Sequence, residues 1–350
     1  MFQTLNRPDW LVALALATLV IAAGSWRMAP GVCGVYHDDA IYVSTAKALA
    51  QGEGYRLIDV PGAPYQTKYP VVYPALLAAV WRLWPEFPAN LVLMQGITLL
   101  TAAGTVALAY LYVVRFDYFS RPIAAGAGLL CATAPTFLYF GVQTMAEMPF
   151  ALLSIVALWG LELAVQRAGS SRLSQFTVGL LLVLPFLCRT IGVTLVVAGL
   201  GVLLWNKRPL RWSLAGVMAL TVPWILWSLA GRGIWDKSRV DGYYTDYLGC
   251  WSSTGVSMFG SVFLWNSLTI AKGSGEYVLE GLNALLEMHL GPGRTLVLIA
   301  PLGIIPWVAM TNGLRRGRIL PWALAAYLGL MLVWSWPPQR FLVPILPWLA

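Results

Sequence analysis

Charged residues are scarce in this chain. They make up 11% of its 350 residues, whereas 59% of the residues are apolar. An ordinary soluble domain carries about twice that share of charge, and a soluble fold cannot remove so much apolar surface from water. The composition therefore excludes a disordered chain and a coiled coil, and it predicts a polytopic membrane protein.

Histidine and cysteine are also few. The two histidines, His37 and His289, are too few for a histidine-based metal centre, so no metal ligands are assigned. The four cysteines set no disulfide framework, although Cys33 and Cys250 could pair if both face an oxidising compartment. The chain also lacks a Gly-x-x-x-x-Gly-Lys phosphate loop, a Cys-x-x-Cys pair and a His-Glu-x-x-His motif.

Long apolar runs dominate what remains. A membrane helix needs roughly 20 such residues, because lipid offers no partner to a backbone polar group. Between Arg172 and Lys207 the apolar stretch is too long for one helix, so it predicts two short helices meeting at Arg189. A last run opens at Phe341 and stops at Ala350, which leaves open a fragment or a partial helix. The other predicted spans are 10–29, 91–114, 122–140, 148–165, 212–230, 295–314 and 319–336.

These runs predict an all-α, polytopic transmembrane helical bundle with about nine or ten spans. We expect a single domain over 1–350, with a first span at 9–29, a periplasmic loop with interfacial helices at 30–88 and spans two to seven at 89–230. A second periplasmic segment at 231–293 and final spans at 294–350 complete it. The first run is interpreted as a retained helix rather than a cleaved signal peptide, because many spans follow it.

Positive charge concentrates in five short loops. This pattern predicts that these loops and the N-terminus face the cytoplasm, with the chain a multi-pass protein of the inner membrane. The net charge of +8 is then a topology signal and not a nucleic-acid footprint. The loops are marked by Arg7, by Arg115 and Arg121, by Arg167 and Arg172, by 207–211 and by 315–318.

The first external segment carries two adjacent acids. Residues 38–51 have helical spacing, with Asp38 and Asp39 in the first turn. Acids there suit a capped, membrane-parallel helix, and they equally suit a general base beside Tyr42 and Lys47, so both interpretations stand. Residues 65–74 predict an interfacial hairpin leading into a short helix at 75–84, where Lys68 either snorkels or meets a lipid phosphate.

Three isolated charges lie at other external helix ends, namely Glu147, Arg189 and Arg340. An acid or base at the end of an apolar span is costly unless it is hydrated or paired, so such residues indicate a cavity. Together with the aspartates they predict an externally open active site. A transporter should instead carry polar groups at the bilayer midplane in two similar halves. In the second external segment, 247–271 is expected to be interfacial or re-entrant and 276–289 an amphipathic surface helix.

Several of these motifs resemble those of the GT-C membrane glycosyltransferases, and within them the bacterial family 39, RgtA-like branch. That branch is related to protein O-mannosyltransferases and to the aminoarabinose transferases of lipid A. The similarity covers about 10–212 and, less fully, the last stretch; 231–293 matches nothing. The motifs are Tyr36-His-Asp-Asp-Ala-Ile-Tyr, 46–55 (Ala-Lys-Ala-Leu-Ala-Gln-Gly-Glu-Gly-Tyr), Lys68-Tyr-Pro-Val-Val-Tyr-Pro, Ala146-Glu-Met-Pro-Phe, Cys188-Arg-Thr-Ile-Gly and Gln339-Arg-Phe-Leu-Val-Pro.

The resemblance implies transfer of a hexose or pentose from a polyprenyl-phosphate donor to a lipid, glycan or protein acceptor outside the cytoplasm. Asp38 would be the base, Asp39 would take the place of the family's Glu, and the use of a divalent metal stays open. The chain departs from the family in this shorter second acid and in lacking the usual double proline after the lysine. The implied catalytic residues are Asp38, Asp39 and Glu147, and the implied substrate-binding residues are Tyr42, Lys68, Tyr69, Arg189 and Arg340.

We therefore expect an inverting transferase that works by direct displacement on the periplasmic side. Three alternatives stay open at this point: a transporter or flippase of lipid-linked sugars, a non-catalytic membrane subunit, and a lipid-linked glycan ligase or polymerase.

Overall fold

A computed structural model describes residues 3–29, 31–167, 171–232, 258–291, 305–334 and 336–350. These residues are almost entirely helical, and the only pairing of extended chain among them is an isolated bridge between Arg56 and Tyr65. The helices are α1 (Arg7–Arg27), α2 (Asp38–Gln51), α3 (Val72–Leu83), α4 (Leu91–Arg115), α5 (Arg121–Thr133), α6 (Pro135–Gly141), α7 (Glu147–Gln166), α8 (Arg172–Cys188), α9 (Val193–Trp205), α10 (Arg211–Arg232), α11 (Phe259–Val278), α12 (Glu280–Leu290), α13 (Ile305–Arg315), α14 (Ile319–Leu332), α15 (Gln339–Leu342) and α16 (Leu346–Leu349).

Four helices within the described residues are long and apolar enough to cross a membrane: α1, α4, α7 and α10. Shorter apolar helices, including α8, α9 and α14, accompany them. The all-helical, polytopic fold is confirmed, while the number of spans stays a prediction.

The run 122–140 is not the straight span that its composition predicts. It divides into α5 and α6, which meet at a bend of 64°. Pro135 opens α6, and Ala134 before it is extended because a residue that precedes proline is pushed out of the helical region. Counted as one bent span, this pair would be the fifth among the described residues.

The break at Arg189 is confirmed. Helix α8 ends at Cys188, a single 3₁₀ turn covers Thr190–Gly192, and α9 begins at Val193. The predicted helix at 38–51 is confirmed as α2. The helix predicted at 75–84 corresponds to α3, which begins at Val72 and ends at Leu83.

The predictions for the second external segment are met only in part. Within the described residues, 259–278 is one continuous helix, α11, and its interfacial or re-entrant placement stays a prediction. The amphipathic helix predicted at 276–289 corresponds to α12, which covers Glu280–Leu290. Residues 247–257 and most of the predicted span 295–314 lie outside the described residues, as does Cys250. Cys33 is a free thiol.

The described residues group into two compact units. The first unit comprises Met1–Met28, Thr98–Val142 and Gly260–Ala350, and the second comprises Ala29–Ile97 and Gln143–Phe259.

In the first unit, three of the predicted cytoplasmic segments lie together. The guanidinium of Arg121 donates to both carboxylate oxygens of Asp9, at 2.7 and 3.1 Å. The Arg115 guanidinium donates to the Gln3 carbonyl, and that of Arg318 to the Phe116 carbonyl. The loops before α1, after α4 and before α14 therefore share one end of this unit, as their charges predict.

In the second unit, helices α8 and α10 pack closely against each other. Helices α8 and α10 cross at Gly179 and Gly216, where a Cβ on Gly216 would lie 2.2 Å from the Phe176 carbonyl oxygen. Small residues allow backbones to approach this closely within a membrane.

Helix α8 also packs along α7, and the Arg208 guanidinium donates to the Val165 carbonyl, so two more predicted cytoplasmic loops meet at one end.

Candidate active site

The acidic pair stands at the start of α2, in the second unit. Both carboxylates are buried at the start of the helix. The helix macrodipole favours negative charge at this position. Their surroundings differ completely.

Asp39 is bonded to the backbone around it. One of its carboxylate oxygens accepts the N–H groups of Gly34 and Val35 at 2.7 and 3.0 Å, and the other accepts those of Tyr36 and Ala40 at 3.1 and 3.0 Å. These four bonds tie the loop before α2 to the first turn of the helix.

Asp38 faces a cluster of tyrosines instead. The Tyr69 hydroxyl donates to its Oδ1 at 2.6 Å, across 31 positions of sequence. Tyr42, one turn further along α2, meets the rings of Tyr69 and Tyr73 edge to face, with centroids 5.5 and 5.1 Å apart.

Three charged groups of the site influence the pKa of the Tyr42 hydroxyl. Burial raises the pKa of its hydroxyl well above 10, and the negative charge of Asp38 raises it further. The charges of Arg189 and Glu147 act on the same hydroxyl, in opposite directions. The charges of Asp38, Arg189 and Glu147 therefore all influence one buried phenol, which stays neutral at physiological pH.

Lys68 is a buried lysine on the hairpin that follows α2. Its Nζ lies 5.5 Å from the centroid of the Tyr69 ring. The side-chain oxygen of Gln66 accepts the backbone N–H groups of Lys68 and Tyr69 at 2.8 and 3.0 Å, which fixes the turn that presents both residues.

The last turns of α10 donate hydrogen bonds to the backbone of this hairpin. The Trp227 indole donates to the Gln66 carbonyl at 3.0 Å, and the Ser228 hydroxyl donates to the Thr67 carbonyl at 3.3 Å. Gly231 approaches so closely that a Cβ there would lie 2.4 Å from a methyl group of Thr67.

Glu147 and Arg189 form a buried ion pair. Glu147 opens α7 and Arg189 follows the last residue of α8, and α8 begins only six positions after the last residue of α7. The thiol of Cys188 lies 3.8 Å from the Ala146 carbonyl, which holds the two helix ends together. Gly192 permits the tight turn after Arg189, because a Cβ there would lie 2.4 Å from the backbone of α8.

The second unit thus brings together six of the eight residues singled out from the sequence: Asp38, Tyr42, Lys68, Tyr69, Glu147 and Arg189. Asp39 lies beside them and is bonded to its own loop. Arg340 belongs to the first unit, in the first turn of α15, and its place in the site stays a prediction.

Asp39 is not placed to bind a divalent cation. Both oxygens of Asp39 already accept two backbone N–H bonds each, and oxygen ligands must direct free lone pairs at such an ion. No group of three His, Cys, Asp or Glu side chains that could hold a metal is found within the part of the chain that the structure describes.

Sequence reasoning missed the residues that hold the site in place. Gln66, Tyr55 and Trp227 fix the hairpin backbone, yet an uncharged Gln in a loop and an aromatic in an apolar run carry no distinctive pattern. The density of tyrosines at 65–73 was the available signal.

Comparison with known proteins finds one matching family model and a similar fold. Residues 68–227 match the family model described as dolichyl-phosphate-mannose-protein mannosyltransferase, a range that includes Lys68, Glu147 and Arg189. The fold is similar to the crystal structure of ArnT from Cupriavidus metallidurans bound to undecaprenyl phosphate, with a TM-score of 0.57 and 17% sequence identity. The alignment covers 98% of this chain and 59% of ArnT. No curated protein sequence matches the chain.

The chain is similar to this mannosyltransferase family over residues 68–227, which is less than half of its length. The matched range includes the acidic motif at Glu147 and the arginine motif at Arg189, whereas the first-loop motif at 36–55 and the late arginine motif at Arg340 lie outside it. The chain spans 59% of the length of the ArnT structure.

Proposed function

We propose that this protein transfers a sugar from a polyprenyl-phosphate donor to an acceptor on the periplasmic side of the inner membrane. The observation that carries the proposal is the set of buried groups in the second unit. Asp38 accepts the Tyr69 hydroxyl, the Lys68 ammonium lies over the same tyrosine ring, and Glu147 and Arg189 form an ion pair. The transferred group is a hexose or pentose, and the acceptor is a lipid, a glycan or a protein.

The donor phosphate determines which cations the site needs. When the bond between the sugar and the phosphate breaks, negative charge develops on the departing polyprenyl phosphate, and fixed cations stabilise it. Lys68 and Arg189 supply this charge from the second unit, and Arg340 is proposed as a third cation. Burial strengthens each interaction because the local dielectric constant is low.

Asp38 acts as the general base. It accepts the proton of the acceptor hydroxyl or amine while that oxygen or nitrogen attacks the anomeric carbon, and polyprenyl phosphate leaves from the opposite face with the bonding electron pair. A single displacement of this kind inverts the anomeric configuration.

The other two acids have supporting roles. Asp39 fixes the loop before α2, and Glu147 holds Arg189 in place through their ion pair. Tyr42 is a neutral, buried residue whose hydroxyl is influenced by the charges of Asp38 and of that pair.

The comparisons support a lipid-linked donor. The matching family is named for dolichyl-phosphate-mannose, and ArnT was solved with undecaprenyl phosphate bound.

The grouping of cationic loops at one end of each unit supports a cytoplasmic N-terminus, since the positive-inside rule assigns such loops to the cytoplasm.

The test replaces Asp38 with Asn and measures the cell-envelope glycans by mass spectrometry. Asp38→Asn should give the glycan profile of cells that lack the gene, while the exposed Asp59→Asn, in the same loop, should give the wild-type profile. Full transfer by a folded Asp38→Asn variant would remove Asp38 from the mechanism. Accumulation of an untransferred lipid-linked sugar on the cytoplasmic side of cells lacking the gene would favour a flippase instead.

A further inference from the structure

We propose that Tyr69 is a positioning residue that orients the Asp38 carboxylate, and that it does not bind the donor. This inference rests on the proposed function and changes one assignment within it, because the sequence places Tyr69 among the substrate-binding residues.

The hydrogen bond itself is short and buried. The Tyr69 hydroxyl lies 2.6 Å from Asp38 Oδ1, and both side chains are at most 8% exposed. A phenol carries only one proton to donate. Since Asp38 accepts that proton, the hydroxyl has none to offer to the oxygens of a lipid phosphate.

The backbone of Tyr69 is held from both sides. Its N–H donates to the side-chain oxygen of Gln66 at 3.0 Å, and its carbonyl accepts the Tyr55 hydroxyl at 2.8 Å. The ring packs edge to face against Tyr42, on the helix that carries Asp38. The hydroxyl is thus fixed relative to α2 by contacts that do not involve Asp38.

A fixed donor matters because the terminal torsion of an aspartate is broad and roughly two-fold. A hydrogen bond to one oxygen selects a single orientation of the carboxylate plane. General-base catalysis depends on that orientation, and a misplacement of about 1 Å costs about a hundredfold in rate.

The experiment compares donor KM and kcat for wild type and Tyr69→Phe, which keeps the ring and removes only the hydroxyl. We expect kcat to fall by about tenfold to a hundredfold with an unchanged donor KM and unchanged binding of undecaprenyl phosphate. Tyr65→Phe is the matched control, since Tyr65 lies in the same hairpin and its hydroxyl contacts Arg56; it should keep both parameters.

Thermal unfolding of Tyr69→Phe in detergent separates loss of the hydrogen bond from loss of the fold, and replacement of Tyr69 with 3-fluorotyrosine provides a second variant. This side chain keeps the ring and the hydroxyl, so it should retain the wild-type kcat and KM even if Tyr69→Phe fails to fold. A raised donor KM at unchanged kcat in Tyr69→Phe, or full wild-type activity, would overturn the inference alone. A wild-type protein that binds undecaprenyl phosphate and transfers no sugar would overturn the proposed function and the inference with it.

Discussion

At the scale of single residues, Asp38 and Asp39 show how surroundings divide two chemically equal side chains. Four backbone N–H groups occupy Asp39, whereas Asp38 accepts a tyrosine hydroxyl among charged neighbours. A carboxylate that must accept a proton during catalysis cannot also hold a loop through both of its oxygens.

Cys33 offers a chemical probe of the loop that Asp39 holds. Burial, and then the nearby charge of Asp39, raise the pKa of the Cys33 thiol to about 11. Because the thiolate is the reactive form, alkylation in a Cys250→Ser background should be about a hundredfold slower at pH 8 than for an ordinary cysteine. Its rate should rise about tenfold per pH unit up to about pH 11.

Asp39→Asn should increase that rate at pH 8, because the variant removes both the negative charge and acceptors that close the loop. The exposed Glu53→Gln should leave the rate unchanged. A reaction rate that levels off near pH 8, or that ignores Asp39→Asn, would contradict this account of the loop.

The Glu147–Arg189 pair makes a prediction about stability. Arg189→Met leaves the Glu147 carboxylate buried without this partner, which should destabilise the protein by about 3–5 kcal/mol. Adding Glu147→Gln removes the orphaned charge, so the double variant should be more stable than Arg189→Met alone. The measurement is the free energy of unfolding in detergent.

The exposed pair of Lys272 and Glu276 on α11 provides the control, since Lys272→Met should cost no more than about 1 kcal/mol. An Arg189→Met variant as stable as this control would show that the buried pair does not hold the ends of α7 and α8.

The charged members of the site were predictable from sequence, and their supports were not. Glu147 and Arg189 stand out because a charge at the end of an apolar span is expensive. Asp38 stands out as an acid in the first turn of a predicted helix, and Lys68 as a lysine in a predicted interfacial hairpin. Gln66 carries no such signal, since its role depends on a turn that brings its side chain back to the next two peptide groups.

At the scale of helices, the crossing of α8 and α10 determines where the hairpin support lies. Both helices pass within backbone contact distance at Gly179 and Gly216, and α10 then reaches the Lys68 hairpin with its last turns. The sequence predicted both helices from hydropathy, but the crossing depends on which glycines face each other, and periodicity alone does not fix that.

Gly216→Ala should therefore destabilise the second unit by about 1–3 kcal/mol, because the new methyl group would meet the Phe176 carbonyl. Gly201→Ala on α9 meets open space and should leave stability unchanged or raise it by up to about 1 kcal/mol. The two variants are compared by thermal unfolding in the same detergent. Equal stabilities would mean that α8 and α10 do not pack this closely.

The sequence predicted one break between helices and missed another. The interruption at Arg189 was predicted because the apolar stretch is too long for one span and contains one charge. The bend between α5 and α6 was missed, although Pro135 marks it, because a proline within an apolar run is also tolerated in straight spans.

At the scale of the whole molecule, the family resemblance and the composition predicted the fold class, which the comparisons confirm. The predicted single domain stays a prediction, since the described residues group into two units.

Sidedness can be tested within the second unit. Helix α9 begins just after Arg189 and ends at Trp205, so the two ends should face opposite sides of the membrane. In intact spheroplasts, Asp59→Cys should react with a membrane-impermeant maleimide and Asn206→Cys should react only after permeabilisation. The reverse pattern would place the aspartate pair on the cytoplasmic side and contradict the proposed periplasmic site.

The central claim is that the second unit binds a lipid phosphate through Lys68. The most direct measurement is binding of undecaprenyl phosphate to the purified protein by native mass spectrometry. Lys68→Gln should lose most of this binding, whereas Lys47→Gln, a change to a lysine on α2 that lies over the Trp81 ring, should retain it. Equal binding by wild type and a folded Lys68→Gln variant would contradict the account.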